Sequence, residues 1–252
     1  MKIVRFSAAG KVTYGVLEDR SVRACSGTPY RQLKMTGRRY DLEEVRLLVP
    51  CRPSKIVALG VNYRSHAAEM ESRPPGEPLL FLKPPTAVIG PGENIVYPPM
   101  SARVDYEGEL GVVIGRRARR ITKEEAGHYI LGYTCFNDVT ARDLQAEDRQ
   151  WTRAKGFDTF APIGPCIETE LDPSGLALET HLNGEIKQQA STADLIFAVD
   201  ILVSFISHVM TLLPGDVIAT GTPGGIGPMQ PGDTVEVSIE NIGTLKNCVV
   251  RA

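Results

Sequence analysis

VDYEGELGVVIG, Val104–Gly115, alternates in polarity and is rich in β-branched residues, which predicts a strand. Within it Glu107 and Glu109 stand two apart. Successive side chains of a strand point to opposite faces, so both carboxylates are expected on one face. Two carboxylates about 4 Å apart repel by roughly 4 kcal/mol at an effective dielectric near 20. Either water screens them, as on an ordinary half-exposed edge strand, or a cation holds them together. A third acid, Asp138 in YTCFNDVTARD, supports the cation. A hard divalent ion such as Mg2+ or Mn2+ takes all-oxygen ligation, so the trio points to a metal-dependent enzyme.

Outward from this stretch the same texture recurs. Strands are expected at LLFLK, TAVIG, ENIVYP, YILGYTCFND, APIGPCIE, ALETHLNG, DVIATGTP and TVEVSIENIGTLKNCV. Pro214-Gly215-Asp216 and Pro231-Gly232-Asp233 supply the turn chemistry before two of them. Helices are fewer: YRSHAAEM after Asn62, TKEEAGHYI with Thr122 and Glu125 as a capping box, and DILVSFISHVMTLL. The last carries an apolar stripe at Ile201, Leu202, Phe205, Ile206, Val209 and Met210. Many strands and few helices predict a mixed, mainly β fold rather than a doubly wound sheet. KIVRFSA, TYGVLED and SVRACSG read as a small N-terminal β domain over residues 1–50. DLEEVRLLVP then forms a helical turn or connector, and Pro50 and Pro53 mark the boundary to a catalytic domain over 51–252.

Composition bounds the class. The 252 residues are 42% hydrophobic and 23% charged, an ordinary globular profile. A net charge of -2 argues against a nucleic-acid partner. The basic cluster GRRARR, Gly115–Arg120, reads as a solvated turn. No apolar run reaches the roughly 18 residues that span a bilayer, so no membrane partner is expected. The opening MKIVRFSAAG lacks the apolar core of a signal peptide, and the five cysteines form no C-x-x-C pair. Reduced thiols in a cytoplasmic protein are the expectation.

Further groups carry chemistry. His66 and Glu69 lie three apart on one helical face. A carboxylate beside an imidazole sets its tautomer and raises its basicity, which suits water activation; an isolated surface pair would look the same. The following ESRPPGEP reads as a mobile cover or as a plain loop. Lys155 is placed to stabilise an enolate or hold a carboxylate, unless it simply meets solvent. VIATGTPGGIG lacks the GK[ST] of a phosphate loop, but its amides and the Thr222 hydroxyl can form a carboxylate nest. Arg64, Arg73 and Lys83 are candidates for a distal substrate carboxylate or for solvation.

GVNYRSHAAEM, LFLKPPTAVIG, VDYEGELGVVIG, NDVTARDLQ, RAKGFDTFAPIGP and ATGTPGGIG, in this order over roughly residues 53–249, resemble the fumarylacetoacetate hydrolase family. The resemblance implies a β-sandwich roll and a homodimer. It implies that Glu107, Glu109 and Asp138 bind Mg2+ or Mn2+, and that Arg142, Gln145 and Thr222 bind an oxo acid. His66, Glu69 and Lys155 then become the catalytic residues. The stretch between Gln145 and Trp151 is shorter than in some members. The implied substrate is a small 2-oxo acid with a carbonyl or carboxylate at C4. Three outcomes share an enolate: C–C hydrolysis of acylpyruvates, decarboxylation of oxaloacetate, and isomerisation or tautomerisation. The His–Glu dyad tilts the reading toward hydrolase or mixed hydrolase and decarboxylase. A catalytically inactive metal-binding homologue is the remaining alternative.

Overall fold

The computed structural model describes residues 1–69 and 75–252. It is built mainly from strands, with four α-helices among the described residues: α1 Arg64–Glu69, α2 Arg142–Glu147, α3 Thr152–Gly156 and α4 Val199–Val209. One large sheet runs through Gln32–Asp41, Ser21–Thr28, Lys11–Glu18, Lys2–Ala8, Ala161–Glu168, Ile130–Asn137, Gly108–Ile114, Val217–Ala219, Ile56–Leu59 and Leu80–Lys83 in spatial order. Along this path pairing is antiparallel except where Val217–Ala219 meets Ile56–Leu59, and off it Val88–Ile89 also pairs in parallel with Ala161–Glu168. The four N-terminal strands thus continue the main sheet through the Lys2–Glu168 and Ile3–Ile167 pairs. A second sheet holds Glu185–Ser191, Ala177–Leu182, Thr234–Ile239, Gly243–Arg251 and Ile95–Tyr97. A third, small one joins Thr140–Ala141, Val104–Tyr106 and Gly227–Met229.

The alternation of Gly108–Ile114 explains why it is central. Leu110, Val112 and Ile114 pack with Leu178, Val237 and Leu245 of the second sheet and with Leu202, Val203 and Ile206 of α4. Val113 faces the other way, onto Ile56, Phe136 and Ile163. Each such side chain contributes about 1.5–3 kcal/mol by leaving water. A strand buried on both faces is rigid, and its start is where the acidic pair lies.

At that start the structure departs from the expected single strand. Val104–Tyr106 and Gly108–Ile114 belong to different sheets, and Glu107 is the junction between them. Gly108 permits the crossing. A Cβ on it would lie 2.1 Å from Thr180 Oγ1, and its N–H donates to Gln188 Oε1 at 2.9 Å, a side chain of the second sheet. Gly108→Ala is expected to lower stability by about 1–3 kcal/mol through overpacking, read as a lower midpoint in denaturant unfolding.

Other expectations shift. The Thr122 capping box forms only in part: Thr122 N–H donates to Glu125 at 2.9 Å, but the chain makes turns and a 3-10 helix at Ala126–Tyr129 instead of an α-helix. Only Ala126 of that segment is buried, so no apolar stripe holds a longer helix. In α4 Leu202 and Ile206 face the core as expected, joined by Val199 and Val203, whereas Ile201 and Val209 are exposed. DLEEVRLLVP resolves into a 3-10 turn, Leu42–Glu44, and a short strand, Arg46–Leu48. Two polar strands were not expected: Gln32–Asp41 and Glu185–Ser191. All five cysteines are free, and only Cys248 is exposed.

Candidate metal centre and its cavity

Three buried carboxylates meet where the large and small sheets diverge. Glu107 comes from the junction, Glu109 from the first turn of the pleat beyond it, and Asp138 from the end of strand Ile130–Asn137. One oxygen of each lies within 4.8 Å of the others. Backbone pairing makes this convergence: Gly108 opposes Asn137, and Asp138 N–H donates to Glu107 O at 2.8 Å.

Glu107 and Asp138 are tied on both oxygens and Glu109 on one. Glu107 Oε1 accepts from Thr140 at 3.1 Å and from Arg142 Nη2. Asp138 Oδ1 accepts from Lys83 Nζ at 2.5 Å, and Glu109 Oε2 accepts from Gly221 N–H at 2.7 Å. Lys155 Nζ reaches the second oxygens of Glu107 and Asp138 at 2.9 and 2.6 Å. Glu109 Oε1 is fully buried and has no hydrogen-bond partner among the described residues. A lone carboxylate oxygen in the interior is costly unless a cation completes it. The donor set is all oxygen and therefore fits a hard divalent ion.

Electrostatics separates the two glutamates. Burial pushes the Glu107 carboxyl up, but Lys155 and Arg142 beside it outweigh this and hold it at about 2. Glu109 is pushed well above the usual range, first by burial and then by Asp138 and Glu107. Burial lowers Lys83 despite its contact with Asp138. For Lys155 burial acts the same way, yet Asp138 and Glu107 prevail and raise it.

A cavity of about 340 Å³ opens over the centre. Glu107, Lys155, Arg142, Gln145, Thr222 and His66 line its polar side. Leu59, Val61, Phe81, Ala146 and Trp151 form an apolar wall, with Phe81 and Trp151 edge to face at 5.3 Å. Arg142 donates Nε to Asp105 at 2.9 Å and Nη1 to Gln145 Oε1 at 2.5 Å. His66 is only 8% exposed, and its Nδ1 lies 3.3 Å from Glu69 Oε2. Both Glu69 oxygens also receive Gly225 N–H at 3.2 Å, which docks α1 on the Thr222–Gly225 loop. The Thr222 hydroxyl donates to Gly108 O at 3.0 Å and accepts from Gln188 Nε2 at 2.8 Å, so it ties that loop to the acidic junction.

Six of the nine sequence-predicted site residues therefore line the cavity, Glu109 and Asp138 join Glu107 in the buried acidic trio beside it, and Glu69 meets the Gly225 amide. Of the distal-carboxylate candidates, Lys83 is neither solvated nor distal: it is 1% exposed and bonded to Asp138. Arg64 is exposed and reaches Ala193 O at 3.5 Å, and Arg73 lies outside the described residues, as do residues 71–74 of the expected cover. Three contributors were missed in the sequence. Asp105, two residues before Glu107, is fully buried and paired with Arg142 and Arg103. Gln188 sits on an unrecognised strand. Trp151 stood out in the sequence only as the end of the stretch that follows Gln145.

Comparison with known proteins agrees with the geometry. Residues 55–250 match the family described as Fumarylacetoacetate (FAA) hydrolase C-terminal. This chain belongs to the fumarylacetoacetate hydrolase family. Its residues 1–50 match a second family, described as Rv2993c-like, N-terminal. Among hydrolase-family relatives, oxaloacetate tautomerase YisK of Bacillus subtilis is 43% identical over 223 residues, covering 82% of this chain and 74% of its own. The crystal structure of 2-hydroxyhepta-2,4-diene-1,7-dioate isomerase from Mycobacterium marinum superposes with a TM-score of 0.94 at 45% identity, covering 100% of this chain and 98% of its own. Maleylpyruvate hydrolase from Sphingobium sp. SYK-6, solved with manganese (II) and pyruvate, gives 0.84 at 30% identity over 100% of both chains. No helix among the described residues is long and apolar enough to cross a membrane.

Proposed function

We propose that this protein is a divalent-metal-dependent enzyme acting on 2-oxo acids that carry a carbonyl or carboxylate at C4. The observation that carries the reading is the trio Glu107, Glu109 and Asp138, with donor oxygens within 4.8 Å of one another and Glu107 lining a cavity. Bound by these acids, Mg2+ or Mn2+ would supply Lewis-acid polarisation of the oxo group. The pyruvate and manganese named with the Sphingobium hydrolase support that pairing of ion and oxo acid.

The chain's own residues supply the rest. Lys155 and Arg142 set positive charge beside the oxygen on which enolate charge develops. Gln145, held by Arg142, offers its amide to the substrate carboxylate, and Thr222 shapes the opposite side of the cavity. His66, with Nδ1 toward Glu69, takes a proton on Nε2 from water, and that water attacks C4. The C3–C4 bond then breaks, its electron pair passing to the enolate of the pyruvate half, which is protonated at C3. When C4 is a carboxylate, carbon dioxide leaves instead and no water is consumed. We place C–C hydrolysis of acylpyruvates and decarboxylation of oxaloacetate first, because a cleft-facing base oriented by a carboxylate matches water activation.

A second reading is isomerisation or tautomerisation, in which His66 moves a proton at C3. The names of the Bacillus and Mycobacterium relatives support it. One assay panel decides: oxaloacetate, acylpyruvates and hydroxymuconate-type diacids with Mg2+ or Mn2+, followed for carbon dioxide, pyruvate and isomer. Cleavage products support the first reading, isomer alone supports the second, and no metal-dependent turnover of any of them removes both. Homodimerisation and a cytoplasmic location are carried as part of the proposal.

A further inference from the structure

The strand Leu80–Lys83 pairs with Ile56–Leu59 and is the last on the main sheet's path. Its alternation sends Leu82 outward, 49% exposed, and sends Phe81 and Lys83 to the same inner side. Phe81 lines the cavity, and its ring centroid is 5.0 Å from Lys155 Nζ. Lys83 is 1% exposed. Its ammonium donates to Asp138 Oδ1 at 2.5 Å and to Val139 O at 3.1 Å. Asp138 is thus gripped from both sides, with Lys155 on Oδ2 at 2.6 Å.

Filling this space would not need a lysine. A buried ammonium carries a desolvation penalty, and an apolar side chain of equal volume would avoid it. What the ammonium does that methionine could not is pin one carboxylate oxygen. With Oδ1 engaged by Lys83, rotation about the Asp138 side chain is blocked and Oδ2 is aimed at the centre shared with Glu107 and Glu109. We infer that Lys83 is a positioning residue of the metal centre, acting through Asp138 to fix which oxygen faces the cation. This inference rests on the cation reading above and adds a fifth chain segment to the centre, after 107–109, 138–142, 155 and 221.

The test is Mn2+ titration of the full chain by calorimetry, with apo-protein melting followed by circular dichroism. Lys83→Met is expected to weaken Mn2+ binding by about 10–100-fold, the range for loss of an outer partner of a ligand, while the apo protein still melts cooperatively. Lys83→Gln, which keeps a donor without the charge, is expected to fall between Lys83→Met and wild type. Were Lys83 only a positive charge near the ion, its removal would tighten binding. Equal or tighter Mn2+ affinity in folded Lys83→Met therefore overturns the inference, and if that variant fails to fold, the same sign in Lys83→Gln decides. Asp138→Asn separates the two levels. Unaltered binding in Asp138→Asn removes the cation reading itself; weakened binding there with unaltered binding in the Lys83 variants removes only the role of Lys83.

Discussion

Glu109→Gln is expected to abolish Mn2+ binding in calorimetric titration and to cut turnover by about 4 kcal/mol of barrier, roughly a thousandfold. The same variant is expected to melt at an equal or higher temperature than wild type when both are free of metal. The reason is the site's own repulsion. Burial, Asp138 and Glu107 push the Glu109 carboxyl far above its ordinary range. A carboxyl raised in the fold destabilises nothing below its unfolded value near 4.3, and its penalty grows as pH rises past that value. The gain from the amide should therefore appear at neutral pH and vanish near pH 4. Melting curves at the two pH values check the sign, and retained Mn2+ binding in this variant would refute the assignment of the ligand.

His66→Ala is expected to lower acylpyruvate cleavage by about 10²–10⁴-fold, the usual contribution of a positioned base. Oxaloacetate decarboxylation, which consumes no water, should fall far less. Steady-state assays of both substrates on one preparation give the comparison. Cleavage at the wild-type rate would eliminate His66 as the base. An equal loss in both reactions would mean that the imidazole handles a proton at C3, as the second reading requires.

Of the nine proposed site residues, Arg142 and Gln145 came only with the family resemblance; the paired acids in an apolar strand, the His and Glu one helical turn apart and the glycine-rich loop were locally legible. Lys83 was not. In LFLKPP it looks like the polar end of a strand, and only the fold shows that Asp138, 55 positions later, faces it. Asp105 was hidden by its neighbours, since its partner Arg142 comes from α2. The break at Glu107 was equally invisible, because a glycine inside an alternating pattern does not say that the Thr180 hydroxyl lies 2.1 Å from where its Cβ would be. The two unforeseen strands, QLKMTGRRYD and EIKQQAS, lack buried alternation; their pairing to neighbours holds them extended rather than any apolar face.

The acidic junction has a consequence for how the molecule matures. Its contacts join positions 83, 107, 109, 138, 155 and 221, so no fragment shorter than residues 83–221 can assemble it. On the metal reading proposed above, ion capture would then come last in the life of a newly made chain, after both β layers have closed on each other. Unfinished chains gain nothing from dissolved metal, and at a hundred times its dissociation constant the ion adds about 2.7 kcal/mol to the completed form alone.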